Sequence, residues 1–312
     1  MSAAAGVLQV LQVREDPSIR RHEIAHRLTR VERRLLTYFS KQQTLIACCG
    51  NIGAGKSSLV KLLAYGTGMN ALFELPDDGF EDHIANNPSL FPLLATAKHS
   101  AKRTLGRYYG AINEFIAVQA KATERSAAWQ QAKRNLEHAA LDIQHAYFDL
   151  RKMQLQAAPH LQASTCIDGS PLADRYAFCE VLHRDMDVPY LTADALAVID
   201  ARLEEEFRAL AKPGLVILLK SPVDTLLGNI RDRQRGAEQA GSDEIPEGLL
   251  RLVRALNRRY DDFVSNVRSS GWYRGPVLEI DVSQIDFVSN VRHMIAVYEG
   301  IETLLVPKEF RA

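Results

Sequence analysis

A run of nine residues that starts at Gly50 carries the clearest chemistry in this sequence, because it reads GNIGAGKSS. It fits the phosphate-binding pattern G-x-x-x-x-G-K-S/T, with Gly50, Gly55, Lys56 and Ser57 at the fixed positions. Glycines let successive backbone N–H groups point at a phosphate, and the N-terminus of the helix that follows adds its dipole. In this pattern the lysine reaches the β- and γ-phosphates and the hydroxyl ligates Mg²⁺. The residues predicted to bind ATP are Gly50, Asn51, Ile52, Gly53, Ala54, Gly55, Lys56, Ser57 and Ser58, and Ser57 is in addition a predicted ligand of Mg²⁺.

Two carboxylates are candidates for the remaining chemistry. Phosphoryl transfer to a hydroxyl needs a base that takes the proton and an acidic residue near the metal ion. Glu74 lies in the short apolar run 71–75, and Asp168 directly follows a second apolar run, 164–167. Both runs are predicted strands, so we expect both carboxylates at strand ends near the phosphate-binding loop.

Three arginines supply candidate cations for the charge that develops during transfer. Arg231 and Arg235 are four residues apart and share one face of a predicted helix, with Arg233 between them. A polar stretch, 237–244, follows this helix end. A helix that runs into an arginine-bearing loop is typical of a closing lid, although a solvated basic helix end would give the same pattern.

A further helix face pairs an amide with a guanidinium. Gln144, Tyr147, Phe148 and Arg151 follow the i, i+3, i+4, i+7 rule on the helix predicted before Pro159. An amide and a guanidinium beside aromatic surface can read the edge of a flat heterocycle. The same spacing is also typical of a helix packed into a core.

Short apolar runs that alternate with helical patterns must position these residues. Such alternation predicts an α/β fold with a parallel sheet covered by helices on both faces. One helix is predicted from Pro17 to about residue 40, and residues 94–157 are helical in character. The predicted strands are 44–49, 71–75, 164–167, 215–219 and 277–281.

Composition limits the classes of partner. The chain has 312 residues, of which 46% are hydrophobic, enough for a large core. Its 38 basic and 38 acidic residues balance, so we expect no nucleic-acid partner. Four cysteines without metal-ligand spacing, no long apolar segment and no signal-like N-terminus predict a cytoplasmic protein without a membrane partner.

The phosphate-binding loop and a second motif together resemble the deoxyribonucleoside kinase family, which includes deoxycytidine, deoxyguanosine and deoxyadenosine kinases. The second motif, residues 168–178, reads DGSPLADRYAF and is similar to a family segment that ends Asp-Arg-Tyr-x-Phe. The likeness extends from about residue 44 to residue 287. It implies a P-loop kinase fold with a five-stranded parallel sheet flanked by helices, often a homodimer. It also implies ATP-dependent phosphorylation of the 5′-hydroxyl of a deoxyribonucleoside substrate.

The resemblance implies a domain division and roles on the catalytic side. Residues 1–42 are interpreted as an N-terminal helical extension, and residues 43–312 as the P-loop nucleoside kinase-like domain with a helical insertion at about 94–125. Glu74 is similar to the general base, and Asp168 to the acidic residue near the metal ion. The catalytic set implied in this way is Glu74, Lys56, Asp168, Arg231 and Arg235, the two arginines belonging to the lid.

On the substrate side, Gln144 resembles the glutamine that holds the base by two hydrogen bonds. Arg151 and Asp174 resemble the pair that reads the edge of the heterocycle, a pair typical of members that act on purines or cytosine. Phe178 is similar to the residue that covers the ring. The implied substrate-binding set is therefore Gln144, Arg151, Asp174 and Phe178.

The sequence also departs from the family pattern. Gly169 stands where the family has an arginine that contacts both the base carboxylate and the transferred phosphoryl group. Ala237 replaces another lid arginine, and Leu75 separates Glu74 from Pro76. If the pocket accommodates the side chain, Gly169→Arg is expected to raise activity.

These departures leave two alternatives to the kinase hypothesis. One is a non-catalytic nucleotide-binding protein descended from such a kinase, which the absence of the family arginine at Gly169 suggests. The other is a kinase for a different acceptor, such as a nucleoside monophosphate, with Arg103 and Arg107 in the insertion as phosphate ligands.

Overall fold

A parallel sheet forms the centre of the computed structural model, which describes residues 6–13, 18–74, 91–124, 126–232 and 244–311. The strand order is β1-β6-β5-β2-β4-β3, and every neighbouring pair is parallel. This confirms the predicted α/β class. The strands are β1 Leu8–Val10, β2 Leu45–Gly50, β3 Asn70–Leu72, β4 Thr165–Asp168, β5 Leu215–Lys220 and β6 Val277–Asp281.

Helices cover both faces of the sheet, as a parallel sheet requires. After α5, the chain continues in two π-helical turns, Asp174–Cys179 and Val181–Asp185. None of the described helices combines the length and the apolar character that crossing a membrane demands. The helices are α1 Arg21–Lys41, α2 Lys56–Thr67, α3 Phe91–Gln119, α4 Ala127–Ala157, α5 Pro171–Ala173, α6 Ala193–Phe207, α7 Val223–Asp232, α8 Glu247–Asp261, α9 Phe263–Ser269 and α10 Val291–Leu305.

The central strands bring the chemistry of two distant segments together. All six residues of β2 are buried, as the continuous apolar run predicts for a strand covered on both faces. In the parallel register Cys48 of β2 lies opposite Asp168 of β4. The phosphate-binding loop follows β2 directly, so Asp168 ends its own strand beside that loop.

The sheet has six strands, so the implied count of five is wrong. The extra strand, β1, comes from the segment interpreted as a helical extension, and it pairs with β6 from Leu8↔Val277 to Val10↔Glu279. It is only three residues long, and Leu8 and Val10 are exposed. A short edge strand with outward apolar side chains carries little of the alternation that identifies strands in sequence.

The basic N-terminal helix packs on the last helix. Arg27 of α1 forms a bidentate ion pair with Glu299 of α10, and Arg34 forms another with Glu302. Of the five arginines of α1, which are Arg21, Arg27, Arg30, Arg33 and Arg34, these two therefore have intramolecular partners.

The helical stretch predicted for 94–157 is two helices that pack along each other. A turn separates α3 from α4, and the Ser126 hydroxyl accepts a hydrogen bond from the amide of Trp129 at the start of α4. The Phe115 and Trp129 rings meet edge to face, with 5.6 Å between centroids. The segment expected to be an insertion thus forms part of the hydrophobic core.

Candidate active site

A cavity of about 700 Å³ lies at the carboxyl edge of the sheet, between the phosphate-binding loop and helices α3 and α4. Open α/β sheets bind ligands at this edge. Most of the described residues predicted to act in catalysis or substrate binding line it. These are Lys56, Ser57, Glu74, Gln144, Arg151, Asp168, Asp174 and Phe178.

The backbone of the loop requires glycine. Gly50 and Gly53 have φ values of 149° and 83°, in the left-handed half of conformational space. A Cβ atom at Gly50 would lie 2.6 Å from the carbonyl oxygen of Leu219, and one at Gly53 would lie 2.6 Å from that of Leu226. The glycines therefore allow the loop to pass close to β5 and α7.

Side chains from two other helices hold the loop in place. Asn51 is buried, and its Nδ2 donates to the carbonyl oxygen of Val253 on α8 at 2.9 Å. Asn229 of α7 donates to the carbonyl oxygen of Gly53, also at 2.9 Å. The Lys56 ammonium donates to carbonyl oxygens of the loop at 3.1 and 3.2 Å, so it already lies over the concave side.

Ser57 and Asp168 form a pair that fits a magnesium ion. The Ser57 hydroxyl donates to Asp168 Oδ2 at 2.6 Å, while the buried Oδ1 has no protein partner among the described residues. Burial raises the pKa of Asp168, against the lowering effect of Lys56. An unpaired carboxylate oxygen beside a hydroxyl, open to a phosphate-binding loop, suits Mg²⁺, which takes few protein ligands together with phosphate oxygens.

One guanidinium, that of Arg151, joins the two carboxylates on either side of it. Its Nη2 donates to Glu74 Oε2 at 2.8 Å, and its Nε donates to Asp174 Oδ2 at 2.9 Å. Its Nη1 donates to Gln154 Oε1 at 3.1 Å and to the carbonyl oxygen of Asp168 at 2.7 Å. Arg151 is 1% exposed, so these bonds form in a low-dielectric setting.

These contacts set the protonation of the two carboxylates differently. Burial disfavours the charge on Glu74, but the charges of Arg151 and Lys56 and hydrogen bonds from Arg151 and Tyr147 together lower its pKa. For Asp174 burial is stronger than the attraction of Arg151, and its pKa rises to about 6. At neutral pH Glu74 is therefore an ionised carboxylate inside the cavity, able to accept a proton.

The backbone beside Asp168 leaves no room for a side chain. Gly169 has a φ of 96°, and a Cβ atom there would lie 2.6 Å from Arg151 Cζ and closer still to Nη2. The guanidinium thus lies against the glycine. The condition for the expected gain of activity in Gly169→Arg, a pocket that accommodates the side chain, is not met.

Gln144 and Phe178 also line the cavity. Gln144 is 3% exposed, and its Oε1 accepts a hydrogen bond from the Cys179 thiol at 3.3 Å. The Arg151 guanidinium lies over the Tyr147 ring, 5.6 Å from its centroid. Phe148, on the same predicted helix face, packs instead against Phe207 in the core.

Helix α3 contributes residues to the cavity that were not predicted from the sequence. Leu105, Tyr108 and Tyr109 line the cavity, and the Tyr108 hydroxyl is buried without a partner among the described residues. Their i, i+3, i+4 spacing was the available signal. Arg103 and Arg107, by contrast, are exposed and are not among the described residues that line the cavity.

Of the two lid arginines, the structure describes one. Arg231 lies in the last turn of α7 and is exposed. Arg235, together with Arg233 and Ala237, lies outside the described residues, as do Leu75 and Pro76. The roles of Arg231 and Arg235 remain predictions.

A comparison with protein families identifies the chain. The model of the deoxynucleoside kinase family matches residues 46–306, which is most of the sequence. The chain belongs to the deoxynucleoside kinase family. The predicted enzyme class, a deoxyribonucleoside kinase, is thereby confirmed.

Solved structures agree with this family assignment at the level of the fold. A deoxyadenosine kinase from M. mycoides, with the products dCMP and dCDP bound, is 17% identical, with a TM-score of 0.50. The comparison covers 83% of this deoxynucleoside kinase and 98% of that chain. The same enzyme with dATP bound gives the same TM-score and identity, and 99% of that chain is covered. No curated protein sequence matches.

Proposed function

We propose that this deoxynucleoside kinase transfers the γ-phosphoryl group of ATP to the 5′-hydroxyl of a deoxyribonucleoside with a purine or cytosine base. The observation that carries the proposal is the position of Glu74. Its carboxylate lines the same cavity as the phosphate-binding loop, Gln144 and Phe178. Transfer to a hydroxyl requires a base in the cavity that receives both the donor and the acceptor.

The donor is held by the loop that follows β2. Backbone N–H groups and the α2 N-terminus receive the phosphates, and Lys56 neutralises part of their charge. Ser57 and Asp168 are the residues that would hold Mg²⁺, which when bound supplies positive charge at the phosphate oxygens. Arg231 and Arg235 are proposed to close over the transferred group.

The acceptor is held in the same cavity. Gln144 presents an amide that can both donate to and accept from a base edge, and Phe178 offers a ring surface. Glu74, ionised at neutral pH, accepts the proton of the 5′-hydroxyl as the oxygen attacks. Preorganisation of this carboxylate by Arg151 and Tyr147 favours the attack geometry.

The test combines turnover with binding. The purified protein is incubated with ATP, Mg²⁺ and each of the deoxyribonucleosides in turn, and monophosphate formation is measured. Lys56→Ala is expected to lower kcat by about 100-fold or more, while Lys102→Ala, which removes an exposed lysine of α3, leaves it unchanged.

Thermal shifts show whether a negative result is meaningful. A ligand that binds only the native state at 100 times its Kd stabilises it by about 2.7 kcal/mol. If ATP and nucleosides raise the melting temperature but no monophosphate forms from any acceptor, the proposed function is wrong and the non-catalytic alternative gains support.

A further inference from the structure

We infer that Arg151 is a positioning residue that orients Glu74 for the reaction, and that Gly169 is the residue that makes room for it. This inference rests on the proposed function and assigns a role within the same site. It differs from the family-based expectation, in which Arg151 and Asp174 read the edge of the base.

Most N–H donors of the Arg151 guanidinium are already used within the protein. Arginine has five N–H groups, and four of those of Arg151 are taken up by protein acceptors. The remaining N–H belongs to Nη2, the nitrogen that also bonds Glu74. A bidentate contact to a base needs two N–H groups on one edge of the fork, so the observed arrangement serves protein groups.

The groups that accept hydrogen bonds from Arg151 come from several parts of the fold. Glu74 follows β3, Asp168 ends β4, Asp174 follows α5, and Gln154 is one turn away on α4. A single buried cation thus fixes the distance between the ends of two strands. Such a network holds the carboxylate of Glu74 in one orientation before any ligand binds.

The Arg151 guanidinium lies directly against the backbone of Gly169. The amide of Gly169 donates to the carbonyl oxygen of Cys48 at 2.8 Å, which ties this backbone to β2. The backbone therefore cannot simply withdraw, and a Cβ atom at this position would displace the guanidinium. The position of the Arg151 guanidinium therefore requires a glycine at residue 169.

A matched pair of glycine variants tests the steric part. Gly169→Ala adds both an unfavourable positive φ and a collision with Arg151. Gly271→Ala adds the positive φ alone, because its φ is 78° and nothing lies within 4 Å of its Cβ position. We expect Gly169→Ala to lower kcat by about 100-fold and Gly271→Ala to leave kcat unchanged.

The double variant separates displacement of Arg151 from a general structural defect. Arg151→Met removes the guanidinium, so adding Gly169→Ala to it is expected to have little further effect on kcat. In the unfolding free energy, Gly169→Ala is expected to cost more than Gly271→Ala in the wild-type background and about the same in the Arg151→Met background. If the losses of kcat and of unfolding free energy are additive in the double variant, Gly169→Ala does not act by displacing Arg151, and this part of the inference is wrong.

Base preference separates positioning from base reading. Arg151→Met and Arg151→Lys are assayed with deoxyadenosine and deoxycytidine, with kcat and KM determined for each. A positioning role predicts an equal fall of kcat for both acceptors, an unchanged ratio of their kcat/KM values, and partial recovery in Arg151→Lys, which keeps a charge near Glu74. A changed ratio or a rise confined to KM would show that Arg151 reads the base, and the inference would be wrong.

The outcome for the wild-type protein distinguishes failure of the proposed function from failure of the positioning role of Arg151. If the wild-type protein phosphorylates no nucleoside although nucleotides bind, the proposed function fails and the inference fails with it. If the wild type is active and the ratio changes in the variants, only the inference fails.

Discussion

The hydroxyl of Ser57 donates a 2.6 Å hydrogen bond to the carboxylate of Asp168, so the first turn of α2 is joined to the end of β4. These residues are 111 positions apart in the chain. Their contact follows from the register of β2 and β4, in which Cys48 lies opposite Asp168. The pair leaves Asp168 Oδ1 buried and without a protein partner among the described residues.

Asp168→Asn is therefore expected to lower kcat by about 100-fold and to raise the Mg²⁺ concentration needed for half-maximal rate. The amide removes the negative charge that favours the cation while it keeps the side-chain shape. Steady-state kinetics over a Mg²⁺ titration measures both effects. Asp281→Asn is the matched control, because Asp281 also ends a strand and accepts a hydrogen bond from a serine hydroxyl, at 2.6 Å. Equal Mg²⁺ dependence in the wild type and Asp168→Asn would contradict the assignment.

Tyr108→Phe is expected to raise KM for the acceptor without lowering the unfolding free energy. Its buried hydroxyl lines the cavity and has no described protein partner, so its removal breaks no internal hydrogen bond. Tyr273→Phe provides the contrast, because that hydroxyl donates to the carbonyl oxygen of Pro276 at 2.7 Å. Urea unfolding should show a loss of about 1 kcal/mol for Tyr273→Phe alone. A comparable loss in Tyr108→Phe would refute this prediction.

The carboxyl group of Asp174 should titrate with a pKa of about 6, because burial outweighs the attraction of Arg151. The unfolded chain binds this proton with a pKa of about 3.9. Between these values the folded state binds more protons, so this group lowers the unfolding free energy as the pH rises from about 4 to 6. Infrared or NMR titration should detect a carboxyl signal that is absent in Asp174→Asn. A wild-type spectrum in which every carboxyl titrates below pH 5 would contradict the raised pKa of Asp174.

The two ion pairs between α1 and α10 should differ in their contribution to stability. Glu302 is 8% exposed in its side chain and pairs with Arg34, whereas the side chains of Arg27 and Glu299 are 47% and 31% exposed. Arg34→Ala leaves a buried carboxylate unpaired and is expected to cost about 3 kcal/mol. Arg27→Ala is expected to cost less than about 1 kcal/mol. Chemical denaturation measures both, and equal losses would show that burial of Glu302 is unimportant.

The parts of the fold that could be predicted from sequence are those with local signals. Strands β2 and β5 are continuous apolar runs, β4 and β6 combine apolar residues with Thr165, Glu279 and a terminal aspartate, and the loop after β2 carries a fixed pattern of glycines, Lys56 and Ser57. Strand β1 escaped prediction because it is short and exposed, and its pairing with β6 joins segments about 270 residues apart. Nothing in residues 8–10 alone specifies that partner.

The candidate site divides in the same way. Helical spacing correctly indicated that Gln144 and Arg151 share a face, and both line the cavity. Spacing could not show that Arg151 bonds Glu74, because that contact depends on where the end of β3 lies relative to α4. It also could not show that Gly169 accommodates the guanidinium, since a missing side chain has no pattern of its own.

The side chain of Arg151, near the C-terminal end of the 31-residue helix α4, is ordered before any acceptor binds, which affects how tightly the acceptor binds. Ordering a free arginine side chain costs about 2 kcal/mol in rotamer entropy. Here that ordering takes place when the protein folds, so an arriving acceptor does not bear it. The affinity for the acceptor therefore does not include the cost of ordering the charges around Glu74. A mutation can change the affinity or this charge arrangement without changing the other.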